Sequence, residues 1–123
     1  MYEALIQQIE EALARTAAWA ETGWPVTFGF RNVAVTSLKE ALALPKNAVF
    51  RHEAINYWRQ VELTAEDTSV YGRKAIDALR QGNIESAVND LYFAQYMEKP
   101  FAEYARTWLP LYDALHAEAG SCC

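Results

Sequence analysis

Apolar residues recur along most of this chain with a helical period. Over residues 2–20, Leu5, Ile6, Ile9, Leu13, Thr16, Ala17, Trp19 and Ala20 fall on one face. Glu3, Gln7, Glu10, Glu11 and Arg15 fall on the other. That pattern predicts an amphipathic helix with one buried stripe. Gly23 supplies its stop, and Trp24-Pro25 turns the chain. Residues 47–63 carry a further stripe of Phe50, Ala54, Tyr57, Trp58 and Val61. The last predicted helix follows Pro100, with Phe101, Tyr104, Ala105, Trp108, Leu111, Tyr112 and Leu115 on one face. Pro110 falls inside it and predicts a kink, because proline brings no amide donor.

The stretch from residue 64 to 100 predicts two helices joined at Gly82. Thr64 stands three positions before Asp67, and Glu66 and Asp67 suit the positive end of a helix dipole, so a new helix is expected to start at Thr64. Val70, Tyr71, Ala75, Ala78 and Leu79 continue it, and Gly82 ends it by accepting a positive φ. In the second helix Ile84, Ala87, Val88, Leu91, Ala94 and Gln95 form a stripe that Tyr92, Phe93, Tyr96 and Met97 widen. A helix apolar around so much of its circumference is expected to be covered on more than one side. Pro100 closes it. Through Ala75, Ala78, Gly82, Ala87, Leu91 and Ala94 this unit resembles one tetratricopeptide-type repeat, with Pro100 one place later than that pattern prefers. The resemblance covers about 35 residues and has no second copy, while a solenoid needs at least ~3. It therefore implies a tight helical hairpin, not a repeat protein.

Residues 26–36 admit two readings. Val26, Phe28 and Phe30 alternate with Thr27, Gly29 and Arg31, and Val33 and Val35 follow, which is a strand-like period. Against it, Arg31-Asn32 makes a poor turn, and a lone hairpin is marginal without a sheet to join. The rival is a helix from about residue 28, using Phe30, Ala34, Ser37, Leu38, Ala41 and Leu42. The helical surroundings favour the helix. Ser37-Leu38-Lys39-Glu40 is also a capping box, so the helix has an alternative start at Ser37, with Pro45 as its end. The expected fold is thus all-α, a compact single-domain bundle of five to six helices around a tetratricopeptide-like hairpin, with residues 119–123 as a tail.

Composition adds that a real core is affordable. At 123 residues, 52% hydrophobic and 13% aromatic, the chain is of a size to bury about two-thirds of its unfolded surface without metal or disulfide. Net charge is −5 and unevenly spread: residues 81–123 hold two basic side chains against six acidic ones. No basic stripe is present, which argues against nucleic acid and anionic membranes as partners. No hydrophobic run approaches a membrane span, and the acidic start, Met1-Tyr2-Glu3-Ala4, is unlike a secretory leader. A cytoplasmic location is expected.

Candidate chemistry is sparse. His52 sits between polar neighbours, and Asp113-x-x-His116 supplies only one of the pairs a di-metal bundle uses. No phosphate loop, nucleophile elbow, His-Glu-x-x-His or Cys-x-x-Cys motif is present, so an enzyme is the minority reading and no cofactor is expected. Adjacent thiols at Cys122 and Cys123 suit soft-metal or thiol chemistry with ligands from a second protein. Trp24, Phe28, Phe30 and Arg31 have the makings of a protein-binding surface if their segment is a loop. Trp58, Tyr92, Tyr96 and Trp108 are the candidates for an aromatic pocket holding a small apolar ligand. The leading expectation is an accessory or adaptor protein acting on another protein, as a homodimer or as a small subunit of a larger enzyme.

Overall fold

A computed structural model describes residues 2–29 and 32–121. The chain is mostly helical, with five α-helices and a two-stranded sheet among the described residues. That is compatible with an all-α bundle. The first helix, α1, is Glu3–Thr22, ended at Gly23, whose φ is +72°. The glycine is required twice over, since a Cβ there would overlap the Thr36 carbonyl oxygen.

The 26–36 segment is a β-hairpin, which corrects the helix expected from residue 28. Strand β1 (Val26–Phe28) pairs antiparallel with β2 (Val33–Val35), Val26 opposite Val35 and Phe28 opposite Val33. Gly29 and Asn32, between the two strands, are both at positive φ. A larger sheet is unnecessary because the hairpin lies on a helix. Phe28 and Val35 are buried, and the Trp58 indole N–H donates to the Val35 carbonyl at 3.1 Å. The capping box holds. Helix α2 (Leu38–Ala43) has Ser37 Oγ accepting from the Glu40 N–H at 3.2 Å, while Glu40 Oε2 accepts from the Thr36 N–H at 2.8 Å. Leu44, just before Pro45, is extended at ψ 149° and ends the helix.

Residues 51–80 are one helix. α3 (Arg51–Arg80) runs 30 residues without a break, so the start expected at Thr64 does not occur. Nothing in Leu63-Thr64-Ala65-Glu66 forbids helix, and Val61, Ala65 and Thr68 continue the buried stripe across the supposed joint. The Thr68 hydroxyl donates back to the Ala65 carbonyl at 3.1 Å instead of capping anything. The predicted turn at Gly82 is present. The Gly82 N–H donates to Leu79 O at 3.0 Å and the Asn83 N–H to Ala78 O at 2.8 Å, the paired bonds of a Schellman cap. Asn83 then caps α4 (Ile84–Glu98) through Ser86 N–H.

A short 3₁₀ turn, Lys99–Phe101, leads by an irregular stretch to α5 (Leu109–Ser121). Pro110 lies in the first turn of α5, where its missing N–H is an orphan anyway, and so causes no kink. Two cores hang on α3. In one, Ile9 and Ala12 of α1 meet Ala75, Ile76 and Leu79 of α3, Ala87, Leu91 and Ala94 of α4, and Trp108 and Leu115. In the other, Ala54, Trp58 and Val61 of α3 meet Trp24, Phe28, Val35, Ala41 and Phe101.

Candidate interaction surface

The outer face of α4 is aromatic. Ala87, Leu91, Ala94 and Glu98 point into the protein, so the residues half a turn away face outward. Those residues are Glu85, Asn89, Tyr92, Phe93 and Tyr96, and all are exposed. Tyr92 is 41% exposed, Phe93 38% and Tyr96 56%. α4 is thus flanked by α3 on one side and α5 on the other, and part of its apolar breadth belongs to a third, outward face that stays exposed.

These rings join neighbours on both flanking helices. Phe93 stacks on Tyr71 of α3 with centroids 5.4 Å apart. Tyr92 lies 5.6 Å from Phe93, 6.2 Å from Tyr96 and 5.7 Å from Tyr112 of α5. His116 follows Tyr112 at 5.6 Å. The result is a continuous aromatic strip across α3, α4 and α5. Lys74 lies over the Tyr71 ring, 5.3 Å from its centroid. Burial pushes the Asp90 carboxyl up from its usual value, and the Lys74 charge opposes that.

Glu98, at the far end of α4, is the buried carboxylate of the fold. It is 2% exposed, and its Oε1 accepts from the backbone N–H groups of Thr107 at 2.7 Å and Trp108 at 3.0 Å. It thus caps the approach to α5 from a distance in sequence, satisfying donors that no residue of the local turn reaches. Burial raises its pKa, and its bonds to Thr107 and Trp108 and the charge of Arg15 pull the other way. Oε2 has no partner and is sealed from the surface. An adjoining cleft of about 350 Å³ is edged by Gln95, Lys99, Arg106 and Leu109. Glu98 itself lines that cleft, with Oε1 engaged by the two backbone N–H groups.

The residues singled out in the sequence are scattered. Trp24 and Phe28 are buried, which corrects their expected presentation at a surface. Trp24 is the hub of the second core. Its ring lies 5.6 Å from Trp19, 5.1 Å from Trp58 and 5.1 Å from Tyr104, and its indole N–H donates to the Tyr57 hydroxyl at 3.0 Å. Burial raises the Tyr57 pKa, an effect that this bond opposes. Phe30 and Arg31 lie outside the described residues, as do Cys122 and Cys123. Trp58, Tyr92, Tyr96 and Trp108 do not line one cavity. Trp58 and Trp108 belong to different cores, and Tyr92 and Tyr96 face outward. His52 and His116 are exposed. Among the described residues no group of three or more histidine, cysteine or carboxylate side chains is placed to hold a metal ion, and no helix is long and apolar enough to cross a membrane.

Sequence reasoning named Tyr92 and Tyr96 for a pocket but missed that Tyr71, Phe93 and Tyr112 join them. The signal was available in the spacing of Glu85, Asn89, Tyr92 and Tyr96, which puts polar and aromatic residues on one face. No protein-family model, curated protein or solved structure matches this chain.

Proposed function

We propose that this protein is an accessory or adaptor that works by contact with another protein, and that the outer face of α4 is its contact surface. One observation carries the reading. Tyr92, Phe93 and Tyr96 stand exposed in an unbroken strip with Tyr71 and Tyr112. Large rings left in water are unfavourable for a monomer, and tyrosine-rich patches are where binding energy concentrates in interfaces. The α3–α4 hairpin, tetratricopeptide-like in the small residues at its seam, is in this reading the rigid platform. Substitution of Tyr92 and Tyr96 by serine tests it. The unsubstituted protein recovered from its host should carry a stoichiometric partner by native mass spectrometry, and the double variant, which should keep its fold since both side chains project outward, should lose it. Retention of that partner with undiminished affinity would remove the α4 face from consideration.

A further inference from the structure

Among the described residues Glu98 is the only buried titratable side chain. It ends α4, ahead of the 3₁₀ turn and the irregular segment 102–108 that leads to α5. Within that segment the N–H groups of Ala102, Tyr104 and Ala105 donate to the carbonyls of Lys99 and Phe101 close by. Those of Thr107 and Trp108 share one acceptor, Glu98 Oε1. The ring of Trp108 has its own anchorage, packed at Gly72 with the indole N–H donating to Thr16. The backbone at Thr107 and Trp108 is therefore fastened by the carboxyl group, while the ring is fastened by the core.

The carboxyl group stands between two environments. Inward, Oε2 has no partner and is closed off from water. Outward lies the cleft of about 350 Å³, which Glu98 lines together with Ala102, Ala105 and Arg106 of the same segment. A neutral acid tolerates the inward position. A carboxylate there is an enclosed charge that two N–H groups on one oxygen compensate only in part. Burial favours the protonated form, against the bonds at Oε1 and the Arg15 charge. The surrounding charges are Arg15 on α1 and, along the cleft, Lys99 and Arg106. α1, α3 and α5 bury no titratable side chain against it.

We infer that Glu98 is a proton-controlled latch: the protonated carboxyl holds the N–H groups of Thr107 and Trp108, and the ionised carboxyl turns out into the cleft and releases them. The carboxylate gains water and the field of Lys99 and Arg106 there, and forfeits two hydrogen bonds. The motion is local, because the Trp108 ring stays held by Thr16. It operates within the chain and needs no partner.

Amide hydrogen exchange of the full chain, followed by NMR from about pH 4 to about pH 8, tests the latch, with a direct titration of the Glu98 carboxyl carbon beside it. Protection at Thr107 and Trp108, relative to intrinsic exchange, should fall at least about fivefold as pH rises from 4.5 to the point where the native carboxyl ionises, and then level off. The Trp108 indole N–H and the amides of Ile76 and Leu91, buried on α3 and α4, should keep their protection through the same range. Glu98→Gln should make protection at Thr107 and Trp108 independent of pH. Arg15→Gln, at an exposed position, removes a charge that favours ionisation, so the fall should extend to higher pH. Constant protection while Glu98 titrates would overturn the latch, and so would a carboxyl that ionises at or below 4.5. A parallel loss at Ile76 and Leu91 would replace local release with global unfolding. A pH profile that persists in Glu98→Gln, or that Arg15→Gln leaves in place, would assign the opening to another group.

Discussion

The six-membered ring of Trp108 lies directly over Gly72, at the one point of α3 that carries no side chain. A Cβ at Gly72 would collide with ring atom Cη2 and stand 2.9 Å from Cζ3, with Leu13 Cδ2 at 3.0 Å. Gly72 is therefore a notch in a helix that otherwise gains from alanine. Gly72→Ala should recover up to ~1 kcal/mol of helix propensity and lose about 1–3 kcal/mol to overpacking. The expected net result is a lower thermal midpoint. In a Trp108→Phe background, with the overhanging ring gone, the same substitution should cost less or turn stabilising, and a double-mutant cycle of denaturant midpoints measures that coupling.

Thr16 and Trp108 form the other half of that anchorage. The Trp108 indole N–H donates to Thr16 Oγ1 at 3.1 Å, and Thr16 Oγ1 donates to the Ala12 carbonyl at 2.8 Å, all of it buried. Thr16→Val keeps the volume and strands the indole donor. It should cost roughly 1–3 kcal/mol in denaturant unfolding. Thr16→Ser retains the acceptor and should cost less. A larger loss from Thr16→Ser than from Thr16→Val would show that the methyl group matters more than the hydrogen bond.

Glu98 links stability to pH. Burial raises its folded pKa above the ordinary 4.5, so the native state holds this proton more tightly than the unfolded chain. The stabilisation from that proton is complete below 4.5 and is lost as pH rises through the higher native value. Glu98→Gln has nothing to titrate. Its thermal midpoint relative to the parent should therefore climb from acid toward neutral pH, measured by circular dichroism across that range. A difference independent of pH would contradict the assignment. Glu98→Ala should cost roughly 1–3 kcal/mol for each N–H left unpaired at Thr107 and Trp108.

Gly23 and Gly82 share a positive φ but differ in what surrounds them. At Gly82 a Cβ meets nothing within 4 Å, so Gly82→Ala should cost only the backbone term, about 1 kcal/mol. At Gly23 the Cβ overlaps the Thr36 carbonyl and comes to 3.3 Å of Trp58 Cη2, so Gly23→Ala should also displace the β-hairpin. Urea unfolding of the two variants should separate them by more than ~2 kcal/mol. Near-UV circular dichroism of the tryptophan cluster should change at Gly23→Ala alone.

Where periodicity met a strong local signal, the chain was readable. The first helix, the Ser37–Glu40 box and the Schellman turn at Gly82 each combine a stripe with a cap that only a few residue types can make. The errors have separate physical origins. Thr64-Ala65-Glu66-Asp67 has the residues of an N-cap, but a cap forms only where the preceding backbone leaves the helix, and Val61 and Ala65 hold it in. The β-hairpin was undervalued because its support comes from Trp58, far along the chain. Trp24 and Phe28 were read as surface residues for the same reason: their cover is supplied by Tyr57, Trp58 and Phe101, which local sequence cannot place. The aromatic strip was half legible. Its α4 members follow from helical spacing, but the meeting of Tyr71 with Phe93 and of Tyr92 with Tyr112 depends on how three helices pack.

At 1.5 Å per residue the unbroken α3 is about 45 Å long, and it passes from one core to the other without a glycine or proline at the crossing. Residues 61–68 bury Val61, Ala65 and Thr68 along the way. The chain therefore has no joint at which its ends can move independently. Damage to the tryptophan-rich end removes support from a rod whose other end carries the hairpin of α3 and α4. The aromatic strip is read out at one end of a single stiff lever. Between the β-hairpin end and that strip, α3 has no break in its helix.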